Sequence, residues 1–206
     1  MPEPLHIKSS CVVRNYSISA NDSDLFAGSE KNLADFLIAA YKHFNFEYPK
    51  FYKMDLLSKL GWLGTELLLK DFEKSKYQSE DIGVVLSNAN SSLDTDLRYF
   101  ESVKSYPSPA LFVYTLPNIV IGEICIRHNL KGENAFFVFE EFDANFIEQY
   151  VSGLINNNIL QACICGWVDV LKESHKAALF LVEKGGDGMD FTAENMSRLF
   201  EERPGT

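Results

Sequence analysis

Four short apolar runs, Asp81 to Ser87, Ala135 to Phe139, Ile159 to Gly166 and Lys176 to Glu183, alternate with stretches of helical periodicity. That order constrains the fold more than any other feature. In the second run Ala135, Phe137 and Phe139 share one face while Phe136 and Val138 share the other, so such a strand must be covered on both sides. Strands of this kind between helices predict an α/β sheet with right-handed crossovers.

The helices are read from apolar spacing. Ser29 can cap a helix over Lys31 to Phe44, which lines up Leu33, Phe36, Leu37, Ala40 and Tyr41. A stronger one starts after Asp55, repeats Leu56, Leu57, Leu60, Leu63, Leu67 and Leu68, and should end near Lys74. Leu93 to Val103 reads as a third. Pro107 and Pro109 mark a loop, and Pro117 suits the first turn of a helix over Asn118 to His128, where its missing amide costs nothing. A further helix runs from Ala144 to about Asn156. Before all of these, His6 to Ile18 suggests a strand followed by a turn around Ala20, Asn21 and Asp22.

A chain of 206 residues fits one domain by the prior of roughly 150 residues each. We expect that domain over residues 1–183, with 184–206 a tail whose glycines Gly185, Gly186 and Gly188 form a flexible turn. Past Thr192 either a short helix or a partly disordered end is compatible with the sequence.

The net charge of −10 and pI near 4.9 argue against nucleic acid, whose recognition rests on clustered Lys and Arg. The start of the chain lacks a basic segment followed by an apolar one, and no stretch approaches the roughly 18 apolar residues of a membrane span. A cytoplasmic protein without a membrane role is expected. Cys11, Cys125, Cys163 and Cys165 sit among apolar neighbours without zinc or disulfide spacing, so reduced, mostly buried thiols are expected, with neither metal nor cofactor.

Candidate chemistry is sparse. Cys163 and Cys165 fall on one face of a strand, with Leu160, Ala162 and Ile164 expected on the other, which reads as core in preference to a redox or metal pair. Ser108, Ser152 and Ser174 lack a nucleophile elbow. His6, His43, His128 and His175 read as surface or helix-end residues.

From Pro107 to Gly132 the chain reads PSPALFVYTLPNIVIGEICIRHNLKG. With Ser108-Pro109, Phe112, Leu116, Pro117, Asn118 and Gly122 in order, and with Leu56 to Lys70 and Ile82 to Ser87 ahead of it, this resembles the N-terminal half of the β-ketoacyl synthases of the thiolase-like superfamily. The resemblance covers most of residues 50–183. It implies an α/β thiolase-like half: a mixed, mainly parallel five-stranded sheet flanked by helices.

It also implies where chemistry should sit. In a working ketosynthase a cysteine occupies a tight strand-to-helix turn, where helix-terminal amides and the dipole favour its thiolate. Here the corresponding position holds Glu141, next to Glu140. A carboxylate is tolerated at a helix N-terminus for the same reason, but as an acyl acceptor it would form an easily hydrolysed anhydride, and its charge repels a malonyl carboxylate. The two histidines of the family's C-terminal half have no counterpart in this sequence.

The resemblance therefore implies a non-catalytic ketosynthase-like pseudoenzyme, an accessory partner of chain-length-factor type in fatty-acid or polyketide-type biosynthesis. The alternative is a residual acyl-thioester hydrolase or decarboxylase using Glu141 or Glu140. In the family, subunits pair along the strand before the nucleophile, here Ala135, Phe136, Phe137, Val138 and Phe139, so a dimer with itself or with a full-length ketosynthase is expected. An acyl carrier protein is a further partner, disfavoured by the acidic surface because carrier proteins are themselves acidic. The helix Ala144 to Asn156 lies between the two halves in complete family members. Here it carries one stripe of Phe146, Ile147, Tyr150, Val151, Leu154 and Ile155 and another of Asn145, Glu148, Gln149, Ser152 and Asn156, so one face should be wet or meet a polar partner.

Overall fold

β1 (Leu5–Arg14) turns at Asn15 and Tyr16 into β2 (Ser17–Ala20), which turns at Asn21 and Asp22 into β3 (Ser23–Ala27). All four turn residues have positive φ, between 48° and 61°, the conformation that matches a tight hairpin to the twist of its strands. The expected strand over His6 to Ile18 is thus broken once more than its sequence suggested. The structure, a computed structural model, describes residues 3–201; the last residues of the expected tail, 202–206, lie outside them.

After the hairpins come α1 (Leu33–His43), α2 (Leu56–Leu68), β4 (Ile82–Asn88), α3 (Leu93–Val103), the single turn α4 (Pro109–Phe112), α5 (Ile119–His128), β5 (Asn134–Val138), α6 (Ala144–Asn156), β6 (Ala162–Leu171), β7 (Ser174–Lys184), β8 (Met189–Asp190) and α7 (Ala193–Glu201). The strands form one sheet in the order β3-β2-β1-β7-β6-β4-β5, with β8 pairing β1. β4 is parallel to both β5 and β6, while β7 is antiparallel to both β6 and β1. Four strands of the central set β1-β7-β6-β4-β5 therefore run the same way. This is the mainly parallel five-stranded frame expected, but the sheet does not stop there: β2, β3 and β8 bring it to eight strands.

Helices cover both faces, and residue alternation along the strands sorts the core accordingly. Ala162, Ile164, Leu179 and Leu181 face α1, α2 and α5, where Trp62, Leu63 and Phe36 are fully buried. Cys163, Cys165, Phe180 and Val182 face α6 and α7. Fully burying one such apolar side chain contributes about 1.5–3 kcal/mol. Leu160 joins the cysteines' side of the sheet, contrary to its expected place opposite them, because β6 begins only at Ala162 and the alternation cannot be extended back through the turn before it.

Helix ends also differ from the expected ones. α1 is capped by Asn32, whose side chain accepts the Asp35 amide at 2.9 Å, and not by Ser29. α2 starts after Asp55 as expected, with the Asp55 carboxylate accepting from the Ser58 amide, but ends at Leu68, well before Lys74. β6 runs on through Gly166 to Leu171.

The C-terminal segment takes the helical alternative. Its glycine turn is held by the Lys8 ammonium, which donates to the carbonyls of Gly185 and Asp187 at 2.6 Å each. α7 then buries Met196 and Leu199 in the α6 side of the core. Glu148, on the polar stripe of α6, accepts the Ala193 amide at the start of α7 at 2.7 Å. Of the polar stripe of α6, Asn145, Gln149 and Asn156 are exposed, so this face is largely wet and meets α7 through Glu148.

Candidate functional site

At the end of β5 the phenylalanines give way to acids, and the chain bends through Phe139, Glu140, Glu141 and Phe142 into α6. Asp143 stops the bend. Its carboxylate accepts the Phe146 amide at 2.9 Å, supplying the acceptor that a first helical turn lacks. Phe142 anchors it from below, with its ring centroid 4.8 Å from that of Phe200 and 6.1 Å from that of Trp167.

Glu140 and Glu141 are both exposed at this bend. They line an open cavity of about 450 Å³ whose other walls are Phe139, Phe142, Asp143, Ala144, Asn145 and Ser197. The lining holds carboxylates, rings and one hydroxyl, without cysteine or histidine. Such a set can place negative charge beside a helix N-terminus and accept a proton, and it offers no thiolate.

The other candidates are dispersed. His6 on β1 lies 3.4 Å from Asp190, and His128 at the end of α5 lies 3.1 Å from Glu66. His43 closes α1 against Phe26 and Phe44. His175 on β7 accepts the Tyr16 amide at 3.3 Å. Ser108 caps α4 by accepting from Leu111, Ser152 lies on α6 and Ser174 opens β7. Cys11, Cys163 and Cys165 are buried, and burial pushes all three thiols up, Cys11 to about 12. Cys125, only partly buried, is pushed up to about 11 by the same cause. Among the described residues no group of three or more His, Cys, Asp or Glu could hold a metal ion, and no helix is long and apolar enough to cross a membrane.

One polar group escaped the sequence reading. Glu123 is buried on α5, with Lys50 at 2.6 Å and the Tyr114 hydroxyl donating to it at 3.0 Å. Burial and the Glu123 charge push the Tyr114 phenol well up. The signal was present: Glu123 is the lone acid in the apolar helix IVIGEICIRH, and a buried acid calls for a paired cation.

Among the described residues β5 forms one edge of the sheet, paired only with β4. Phe136 turns toward the α2 side of the core, and Phe137 toward the α6 side. Phe137 and Phe139 stack at 5.8 Å, and Phe146 of α6 sits 4.7 and 5.0 Å from them. Tyr150 stacks on Phe146 at 5.8 Å. All four rings are only partly buried, Ala135 is likewise half-covered, and Val138 is 52% exposed. A further apolar surface stands on α3 and α4, where Leu97, Phe100, Val103 and Phe112 are exposed.

No protein-family model matches the chain, and no curated protein matches its sequence. Solved structures match its fold. The ishigamide ketosynthase/chain length factor superposes with a TM-score of 0.65 at 17% identity, covering 88% of this chain and 62% of that one. A structure of a type II PKS acyl-carrier protein in complex with its ketosynthase, AntDE:AntF, gives a TM-score of 0.61 at 13% identity over 89% of this chain and 63% of that one. The ketosynthase ApeO in complex with its chain length factor ApeC, from Xenorhabdus doucetiae, gives 0.59 at 10% identity over 96% of this chain and 90% of that one. The chain thus spans less than two thirds of the length of the first two and nearly all of the third. Sheet order, helix layers and these superpositions together show that it has the thiolase-like fold of the β-ketoacyl synthases.

Proposed function

We propose that this chain is a non-catalytic, cytoplasmic partner of a β-ketoacyl synthase in a fatty-acid or polyketide-type pathway, acting in the manner of a chain length factor. The observation that carries the reading is the bend after β5. Its exposed Glu141 stands where the resemblance places a nucleophilic cysteine, in a cavity lined by neither cysteine nor histidine. A carboxylate there suits a helix N-terminus and is a poor acyl acceptor. The described thiols lie in or against the core.

The partner reading is supported by the uncovered β5 edge, with its half-exposed rings of Phe137, Phe139, Phe146 and Tyr150. Aromatic side chains around an open edge favour pairing with another chain. Complexes of a ketosynthase with its chain length factor are among the matching folds, and in one of them the matched chain is covered over 90% of its length. A chain close to this one in size takes part in that complex.

The test is co-expression with an intact, cysteine-containing ketosynthase, followed by co-purification and light scattering. A dimer, with itself or with the ketosynthase, is expected for the native chain, and monomer for Val138→Asp, which puts a charge on the exposed edge. A native chain that stays monomeric at micromolar concentration and recovers no ketosynthase overturns the proposal.

A second reading, an acyl-thioester hydrolase or decarboxylase, draws on the two exposed carboxylates at that cavity. Turnover of malonyl or acyl thioesters that disappears in Glu141→Ala would favour it over the non-catalytic one. An acyl carrier protein as third partner rests only on the matching carrier-protein complex.

A further inference from the structure

A second cavity, of about 670 Å³, opens between the start of α2, the start of α3, α4 and the turn from β6 to β7. It shares no lining residue with the bend at Glu141. Its volume falls in the range of small-molecule sites, about 300–1,000 Å³.

The charges around it are arranged unevenly. Asp55, Asp94 and Glu173 all line the cavity, and each accepts hydrogen bonds from the fold, although the Oδ2 of Asp94 is buried without a hydrogen-bond partner. Asp55 accepts from the Ser58 amide and the Thr95 hydroxyl, at 2.9 and 2.7 Å. Asp94 accepts the Lys172 amide at 2.8 Å, and Glu173 accepts the Leu33 amide at 2.9 Å. The cations of the same cavity are Lys53, Lys59, Arg98 and Lys172. Among the described residues none of their side chains forms an ion pair.

Lys59 is the telling member. It is half-buried on α2, its ammonium 5.9 Å from the centre of the Phe51 ring. Burial lowers its pKa from the ordinary lysine value, Asp55 opposes this, and Arg98 adds to the lowering. A partly desolvated cation beside a second cation gains most from a counter-ion supplied from outside. Met54, Leu56, Ala110 and Leu111 give the same cavity apolar walls.

We infer that this cavity binds a small amphipathic anion, a carboxylate or phosphate on an apolar body, with Lys59 and Arg98 holding the charged group. A chain of net charge −10 that gathers four cations, none of them in an ion pair among the described residues, around a cavity walled in part by apolar side chains provides the complement of such a ligand. The inference does not depend on the partner reading, since none of these residues belongs to the bend or to β5.

Isothermal titration calorimetry on the intact chain tests it, with octanoate, octyl phosphate and octanol as probes. One or both anions should bind with octanol at least about tenfold weaker, the scale of a lost charge-assisted contact. The tighter anion identifies carboxylate or phosphate as the preferred head. Lys59→Gln and Arg98→Gln, each checked for native circular dichroism, should weaken the anion about tenfold. Lys59→Arg keeps the charge and should retain binding even if one neutral variant fails to fold. Octanol binding as tightly as the anions, unchanged affinity in the folded neutral variants, or no binding at millimolar concentration would each overturn the inference.

Discussion

The carbonyl oxygen of Ala178 occupies the space in which a side chain on Gly166 would begin. Gly166 holds φ at +138° in the middle of β6, with Ala178 on the neighbouring strand β7. Glycine alone meets both demands at low cost. Gly166→Ala should lose at least about 2 kcal/mol from the combination of steric overlap and backbone strain, seen as a lower urea midpoint. An unchanged midpoint would show that β6 and β7 can separate there without penalty.

Two carboxylates of the α2 segment should respond to pH with opposite sign. Glu66 is pushed up by burial, but hydrogen bonds from His128 and Arg127, and their charges, outweigh this and hold it below its ordinary value. Its contribution is therefore complete above the unfolded value near 4.5 and is lost as pH falls through the lower folded value. Asp55 is raised by burial against the hydrogen bonds from Ser58 and Thr95. Its contribution is complete below about 3.8 and is lost as pH rises through the folded value. Urea titrations across pH should show Glu66→Gln with a weaker loss of stability in acid than the native chain, and Asp55→Asn without the decline on the rising side.

Thiol labelling should separate the four cysteines. Cys11, Cys163 and Cys165 are buried, whereas Cys125 is partly exposed. A thiol-reactive dye at neutral pH should label Cys125 slowly and the others only after unfolding, because burial disfavours the reactive thiolate in each. Fast labelling of Cys163 or Cys165 in the native chain would mean that the α6 side of the sheet opens readily.

At the bend, the neighbouring acids should behave differently. Asp143→Ala removes the cap of α6 and should cost about 1 kcal/mol. Glu141→Ala changes an exposed side chain and should stay within about 0.5 kcal/mol. Thermal melts of the two variants provide the comparison, and an equally large loss at Glu141 would mark that residue as structural.

How far the sequence revealed this architecture depended on whether the relevant signal was local. β4 was legible because Ile82 to Leu86 is continuously apolar, and it is buried throughout. The turn at Asn15 and Tyr16 was hidden because it contains no glycine or proline, although both residues take positive φ. Gly166 looked like the end of a strand and instead lies within it, with the Ala178 carbonyl where its side chain would begin. Ser29 and Asn32 were both chemically able to cap α1, and only the backbone path chose between them. The same contrast holds for sites. The bend was visible as a change from phenylalanines to acids, whereas the cavity holding Lys59 and Arg98 is assembled from separate segments that no spacing rule connects.

The position of β1 has a consequence for how the chain matures. This strand, the first among the described residues, lies beside β7, with Leu5 opposite Lys184 and Val12 opposite Ala178. During synthesis β1 can close its hairpin with β2 but must wait until β7, Ser174–Lys184, has emerged before its other edge is paired along its length. Such long-range closure slows folding, so a nascent chain stalled before β7 would present an unfinished sheet to chaperones and proteases.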